Sequence, residues 1–259
     1  MNHSSYYILG VRIDDVTLQE TLEKIKRSLE NSPRSDRVLP VVTINPEFIM
    51  LARLAKPFRT ILNSAFLCVP DGVGILLASL LIGSPLRTRV TGIELVYSLT
   101  KEAAMQGWTV GFLGGQNEVA EKTKEYFISK YPKLTAWADN GPWIENNISS
   151  VTYQVSSELL ERIRKTNILF VAMGAPKQEY FISNLQNTKY KIQNTIVAVG
   201  VGGSFDEIAG VVPKTPQFID TLGLKWLFRL ITQPWRFRRQ LRLLQFVYLI
   251  FVDRIKKSL

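Results

Sequence analysis

The sequence predicts an α/β fold: a mostly parallel sheet with helices on both faces, followed by a C-terminal helical appendage. Three observations carry this. Short β-branched or apolar runs alternate with stretches of helical spacing, the pattern of βαβ units. Several of those runs end in glycine followed by a polar residue, which suits the loops at strand ends. Beyond about residue 210 the strand signals stop, and cationic and apolar residues take over. The chain therefore divides into a Rossmann-like α/β body, residues 1–210, and a basic amphipathic helical appendage, residues 211–259.

The elements follow in order. Tyr6 to Ile13 reads as a first strand, and Leu18 to Leu29 as a helix with Thr17 as its cap. Ser32 to Arg37 is a polar loop, and Val38 to Ile44 a β-branched strand. Asn45 then fits the N-cap of a helix whose first residue is Pro46, where proline is best tolerated. Phe66 to Val69 is an apolar run stopped by Pro70, and a helix to about Ile82 follows the Asp71-Gly72 turn. Thr91 and Glu94 have capping-box spacing and open a helix to about Gln106. Trp108 to Leu113 is a strand, Asn117 to Lys130 a helix, Leu134 to Ala138 a short strand, and Asp139 to Ser150 a loop. Helix Ser156–Lys165, strand Ile168–Met173, helix Pro176–Leu185 and strand Thr195–Val201 complete the body. In the appendage, Thr215-Pro216 starts one helix, Gly223 to Ile231 forms a second, and Pro234 begins a long third.

Composition removes whole classes of chemistry. With 259 residues and 46% hydrophobic content the chain can bury a substantial core. Cys68 is the only cysteine and His3 the only histidine. That leaves no disulfide, no thiolate metal site and no Ser-His-Asp or Cys-His pair. An acid or base must be a carboxylate, Lys or Tyr. The first twenty residues lack a basic start followed by an apolar run, and no apolar segment reaches the ~20 residues of a membrane span. These features predict a cytoplasmic protein.

Five strand ends gather polar or glycine-rich turns: Asn45-Pro46-Glu47, Asp71-Gly72, Gly114-Gly115-Gln116, Gly174 to Glu179, and Gly202-Gly203-Ser204-Phe205-Asp206. On one edge of a parallel sheet, such turns let N–H groups approach a phosphate or sugar. The dinucleotide and P-loop fingerprints are absent, which disfavours an oxidoreductase or a P-loop enzyme. No Asp-x-Asp is present to hold a divalent cation against a diphosphate, so cationic side chains must do that work and no metal or cofactor is expected. Asp71 has two readings. It caps the following helix, or it accepts a proton from a substrate hydroxyl.

Charge is unevenly placed. From Lys225 to Leu259 there are nine Lys or Arg against one acid, Asp253, so this tail carries +8 of the net +10. Its cations flank Trp, Phe and Leu, which suits an amphipathic helix on an anionic bilayer. A solvated face over an apolar seam, as in a homo-oligomer contact, is the other reading; nucleic acid is not expected, since no recognised binding motif accompanies the charge.

The residues resemble the WecG/TagA/CpsF family of bacterial glycosyltransferases. The matches run through Thr43-Ile-Asn45-Pro46-Glu47, Pro70-Asp71-Gly72-Val-Gly74, Arg89-Val-Thr91-Gly92, Gly174-Ala-Pro176-Lys-Gln178-Glu179, Gly200-Val-Gly202-Gly203-Ser-Phe205-Asp206, and Lys225-Trp226-Leu-Phe-Arg229 through Pro234-Trp-Arg236-Phe-Arg238-Arg239. The resemblance implies an inverting, metal-independent transferase. It would move N-acetylmannosamine or a related sugar from a UDP-sugar donor to a polyprenyl-diphosphate-linked acceptor, peripherally docked on the inner face of the membrane. Carried over, Asp71 is the base, with capping secondary, and Thr43 and Asn45 lie beside it. Arg89 and Gln178 contact the donor, the Gly202 turn lies in the pocket, and Arg229, Arg236 and Arg239 reach the diphosphate. Lys214-Thr215-Pro216 stands where the family commonly has Arg-Ala-Pro. The rival class is a non-catalytic nucleotide-sugar-binding protein on a similar fold.

Overall fold

The computed structural model describes residues 4–31, 37–142, 155–186, 190, 192, 194–216, 218–219, 224–232 and 237–258. Six strands form one sheet: β3 (Val38–Ile44), β4 (Leu67–Pro70), β5 (Thr109–Gly114), β6 (Thr135–Asp139), β7 (Ile168–Ala172) and β8 (Ile196–Gly200). Their order is β4-β3-β8-β7-β5-β6, and every neighbouring pair is parallel. The strand runs are apolar on both faces because helices cover both.

Helices α2 (Pro46–Leu54), α3 (Lys56–Ser64), α7 (Ser157–Arg164) and α8 (Lys177–Leu185) cover one face. Helices α1 (Leu18–Glu30), α5 (Gly92–Gln106), α6 (Val119–Lys130) and the short α9 (Ser204–Ile208) cover the other. Connections that run toward β4 lie on the first face, and those toward β6 on the second. A single crossover hand imposes this segregation. Only α4 (Val73–Leu81) breaks the pattern: Ile75 and Ala78 pack on the first face before the chain crosses to α5. The expected α/β fold with helices on both faces is what forms.

The first strand differs from expectation. Tyr6 to Ile13 is a hairpin, β1 (Ser5–Ile8) and β2 (Val11–Asp14), paired antiparallel outside the main sheet. Leu9 and Gly10 both take positive φ, 49° and 84°, as a tight primed hairpin turn requires. Periodicity along the run says nothing of that reversal; Gly10 was its only local mark. The hairpin closes the open edge of the sheet. Asp14, 1% exposed, accepts from Cys68 N of edge strand β4 at 2.9 Å and from Ser5 Oγ at 2.7 Å. Arg12 lies 3.3 Å from that carboxylate and donates to the Asn63 and Ala65 carbonyls at 3.2 and 2.5 Å. An edge capped in this way cannot template another strand.

Two further expectations shift. Helix α3 fills the stretch before β4, where the sequence reading named no element. Helix α6 begins at Val119, two residues late, because Asn117 and Glu118 adopt left-handed backbone. The polar loop 32–37, most of the loop 139–150, the start of a helix at Thr215-Pro216 and the Pro234 turn fall wholly or partly outside the described residues.

Beyond the body, α10 (Lys225–Thr232) and α11 (Phe237–Ser258) are the described tail helices. Phe246 and Ile250 of α11, each 1% exposed, join the same buried cluster as Ile49 and Ile75. The end of the chain thus packs into the body's core on the α2–α4 side.

Asp14→Ala should cost roughly 3–5 kcal/mol, because it leaves the Arg12 cation and the Cys68 N–H without their carboxylate. Urea unfolding of the variant against the wild type measures it; a loss below about 1 kcal/mol contradicts the anchoring role.

Candidate active site

All six strands are parallel, so all six carboxyl ends meet at one edge, where α/β sheets bind ligands. Asp71 is set there by the pairing of β3 with β4. Its backbone N–H donates to Ile44 O at 2.7 Å, and its side chain is half-buried beside the start of α2. The capping role drops out. The N-cap of α4 is Gly72, at φ 92°, which has no side chain to cap with. Gly72 turns the chain one residue past Asp71, so Asp71 is not itself the N-cap residue.

The neighbouring strand ends supply the rest. Thr43, 5% exposed, donates from Oγ1 to Gly200 O at 3.2 Å across the β3–β8 pair. Asn45 is the N-cap of α2, as expected, its Oδ1 accepting from Phe48 N at 3.2 Å. Val90 N donates to Pro70 O at 2.7 Å, which holds the half-buried Arg89 next to the Asp71 turn. Two devices fix that segment. Downstream, the Thr91–Glu94 capping box forms with both reciprocal bonds. Upstream, Arg87 is clamped by Asp15 at 3.0 Å and Glu20 at 2.8 Å. The Arg87 guanidinium holds the Glu20 carboxyl down at about 2.

At the end of β8 the polar groups go under cover. Gly202, at φ 51°, donates its N–H to Gln178 Oε1 at 3.0 Å. Gln178 Nε2 donates in turn to Glu179 Oε1 at 2.6 Å. Both side chains are 1% exposed, so Gln178 lies beneath the edge and spends both ends of its amide inside the protein. Burial pushes the Glu179 carboxyl up to about 8, against the Gln178 hydrogen bond, and Glu47 adds to the rise. Glu179 therefore keeps its proton at neutral pH. Sequence reasoning quoted this glutamate within a motif and gave it no part. The signal was a Gln-Glu pair in the first turn of a helix, facing a strand that ends in glycine.

The tail is rooted at two places on this edge. Lys225 Nζ of α10 lies 3.1 Å from Glu207 Oε2 of α9, and Arg242 Nη1 of α11 lies 3.5 Å from Glu47 Oε1 of α2. Helices α9 and α2 flank opposite faces of the sheet, so the tail bridges them at its carboxyl side. Arg254 also donates to Leu81 O at the end of α4. Arg229 and Arg239 lie on α10 and α11, but their side chains, and Arg236 entirely, fall outside the described residues. Among the described residues, no group of three or more His, Cys, Asp or Glu is placed to hold a metal ion.

A carboxylate, glycine turns and anchored cations on one sheet edge suit transfer of a group from a phosphate-bearing donor. Residues 6–259 match the Glycosyl transferase WecG/TagA/CpsF family, and the chain belongs to that family of glycosyltransferases. It is similar to an N-acetylglucosaminyldiphosphoundecaprenol N-acetyl-beta-D-mannosaminyltransferase of Bacillus spizizenii, 32% identical over 80% of this chain and 76% of the relative. A Staphylococcus aureus protein of the same name is 30% identical over 96% of this chain and 93% of its own length.

Gly72→Ala tests the turn that follows Asp71. No atom lies within 4 Å of the added methyl, so the cost is backbone strain alone, about 1–3 kcal/mol. Unfolding should show that loss, with transfer reduced at least tenfold as the carboxylate moves.

Proposed function

We propose that this chain is an inverting glycosyltransferase that moves N-acetylmannosamine or a related hexose from a UDP-sugar to a polyprenyl-diphosphate-linked saccharide. The product serves bacterial cell-surface polysaccharide or teichoic acid synthesis, and the enzyme works peripherally at the inner face of the membrane. The observation that carries the reading is Asp71: a half-buried carboxylate at the carboxyl edge, with the N-cap duty passed to Gly72. The names of the similar proteins supply the sugar and the lipid-linked acceptor.

The chemistry is a single displacement. Asp71 takes the proton of the acceptor hydroxyl as its oxygen bonds to the anomeric carbon. The bond from that carbon to the donor's diphosphate breaks, and its electron pair leaves on the phosphate oxygen. A β product from an α-linked nucleotide sugar requires inversion, and the relatives' names carry β. Negative charge growing on the leaving diphosphate calls for donors aimed at it. Arg89, beside Asp71, and the tail arginines Arg229, Arg236 and Arg239 fill that role without a metal. Thr43 and Asn45 wall the sugar pocket, and Gln178 and Gly202 shape the turn that receives the diphosphate.

We read residues 1–210 as the catalytic body and 211–259 as the element that closes over it. Support comes from the two ion pairs that root the tail on opposite faces of the sheet. The outer face of α11 exposes Leu244, Tyr248, Phe251 and Ile255, an i, i+4, i+7, i+11 stripe suited to the interfacial layer of an anionic bilayer. Among the described residues, no helix is long and apolar enough to cross a membrane.

Asp71→Asn should keep the unfolding midpoint and lower kcat by 10²–10⁴, the range of a general base. Near-normal turnover with a UDP-sugar and a short-chain lipid-diphosphate acceptor defeats the assignment. EDTA should leave wild-type turnover unchanged; silencing by EDTA and rescue by a divalent cation would show that a metal, not arginine, holds the diphosphate. Truncating the tail would open the core at Phe246 and Ile250, so the membrane role is better tested with Leu244, Tyr248 and Phe251 changed to Ser. Cosedimentation with vesicles of anionic lipid should fall severalfold while the fold persists.

A further inference from the structure

Glu179 is a buried carboxyl beside Gly200 that the displacement chemistry does not use. A lone carboxyl taken fully out of water is expensive, and an apolar side chain of similar volume in its place is ordinarily neutral or stabilising. Such groups gather at functional sites. The surroundings here are built around it. Gly200 leaves the room: a Cβ at that position would sit 2.6 Å from Gln178 Nε2 and 2.7 Å from Glu179 Oε1. Glu179 Oε1 accepts from Gln178 Nε2 at 2.6 Å, while Glu179 Oε2 is buried with no hydrogen-bond partner. Gln178 Oε1 receives the Gly202 N–H at 3.0 Å, and Gly200 O receives the Thr43 hydroxyl at 3.2 Å.

A carboxamide can face either way round. With Nε2 committed to Glu179, only Oε1 is left to face Gly202. We propose that Glu179 is a positioning residue of the transferase: it fixes the orientation of the Gln178 amide, and through it the Gly200–Gly203 turn that receives the donor's diphosphate. The role rests on the donor site read above for this edge. Lys177 precedes Glu179 on its own helix, and α3, which packs against α8, carries Lys56 and Arg59. Glu47 of α2 acts on it electrostatically and is itself paired with Arg242 of α11; Tyr180 follows on its own helix, with its phenol pushed up by burial. Strands β3 and β8 bring no ionisable side chain to it along their described lengths. A carboxylate formed there would keep the Gln178 hydrogen bond but stand out of water, with Glu47 adding to its cost.

The sign of the pH effect follows. The folded carboxyl, at about 8, lies above its ordinary value of 4.5, so the native state holds one more proton than the unfolded chain between these limits. Stability falls as pH rises through that window, and the turn loosens as Glu179 ionises near its upper end. Glu179→Gln keeps an oxygen for Gln178 Nε2 and cannot ionise.

The experiment compares the full-length wild type with Glu179→Gln and Glu179→Leu. Turnover is read against pH, and amide hydrogen exchange is read at Gly202. The Gln variant should keep neutral-pH kcat/KM within about threefold and lose the alkaline decline near pH 8. The Leu variant should fold at least as stably, speed exchange at Gly202 tenfold or more, and raise KM for the donor at least tenfold. Carbon-13 titration of the wild-type Glu179 carboxyl should give a midpoint well above 4.5. A midpoint near 4.5, or a Leu variant with unchanged Gly202 exchange and KM, overturns the proposal. If no UDP-sugar is turned over at all, the functional reading fails instead, and the exchange and titration still judge whether Glu179 orders the turn.

Discussion

Parallel pairing of β3 with both β4 and β8 is the constraint on which the rest of the structure turns. It brings Asn45, Asp71 and Gly202 to one edge from positions far apart in the chain. Because parallel neighbours need crossover connections, it also obliges a helix to start beside each strand end, and so sets amide-bearing turns around the same spot. The hairpin that caps β4, the Arg87 clamp and the Thr91 capping box all serve this arrangement. Each holds a segment that would otherwise have no reason to stop where it does. The site is consequently a property of sheet direction more than of any single loop.

What the sequence showed and what it hid divide along physical lines. Periods of two and of 3.6 residues are local, so the strands from Val38 to Val201 and the helices between them were legible with errors of a residue or two. Caps at Thr17, Asn45 and Thr91 were legible too, because each satisfies helix amides from within a few residues. The Leu9-Gly10 reversal was not, since a turn with two positive φ angles leaves little mark when only one of the pair is glycine. Nor was α3, a nine-residue helix between two elements that were seen. Asp71 stands at the sheet edge, as its place after a strand predicts, while the N-cap falls one residue further on, at Gly72. That distinction depends on Gly72's backbone, which no side-chain pattern reports. The partners of Glu179 were out of reach for another reason: a hydrogen bond between adjacent side chains, closed over a glycine some twenty residues away, exists only after β7 and β8 pair.

Among the described residues, three of the tail's cations are held individually. Lys225 and Arg242 are each matched to a carboxylate of the body, Glu207 and Glu47, and Arg254 to a backbone carbonyl. These contacts are at most part-buried, and exposed ion pairs contribute little stability on their own. Their value is in placement, because they fix α10 and α11 against opposite faces of the sheet while Phe246 and Ile250 supply the adhesion. One anchor also reaches the interior. Glu47 pairs with Arg242 on the outside and acts electrostatically on Glu179 on the inside. Burial is the main cause that raises the Glu179 carboxyl, with Glu47 adding to it, so one glutamate touches both the tail and the buried pair.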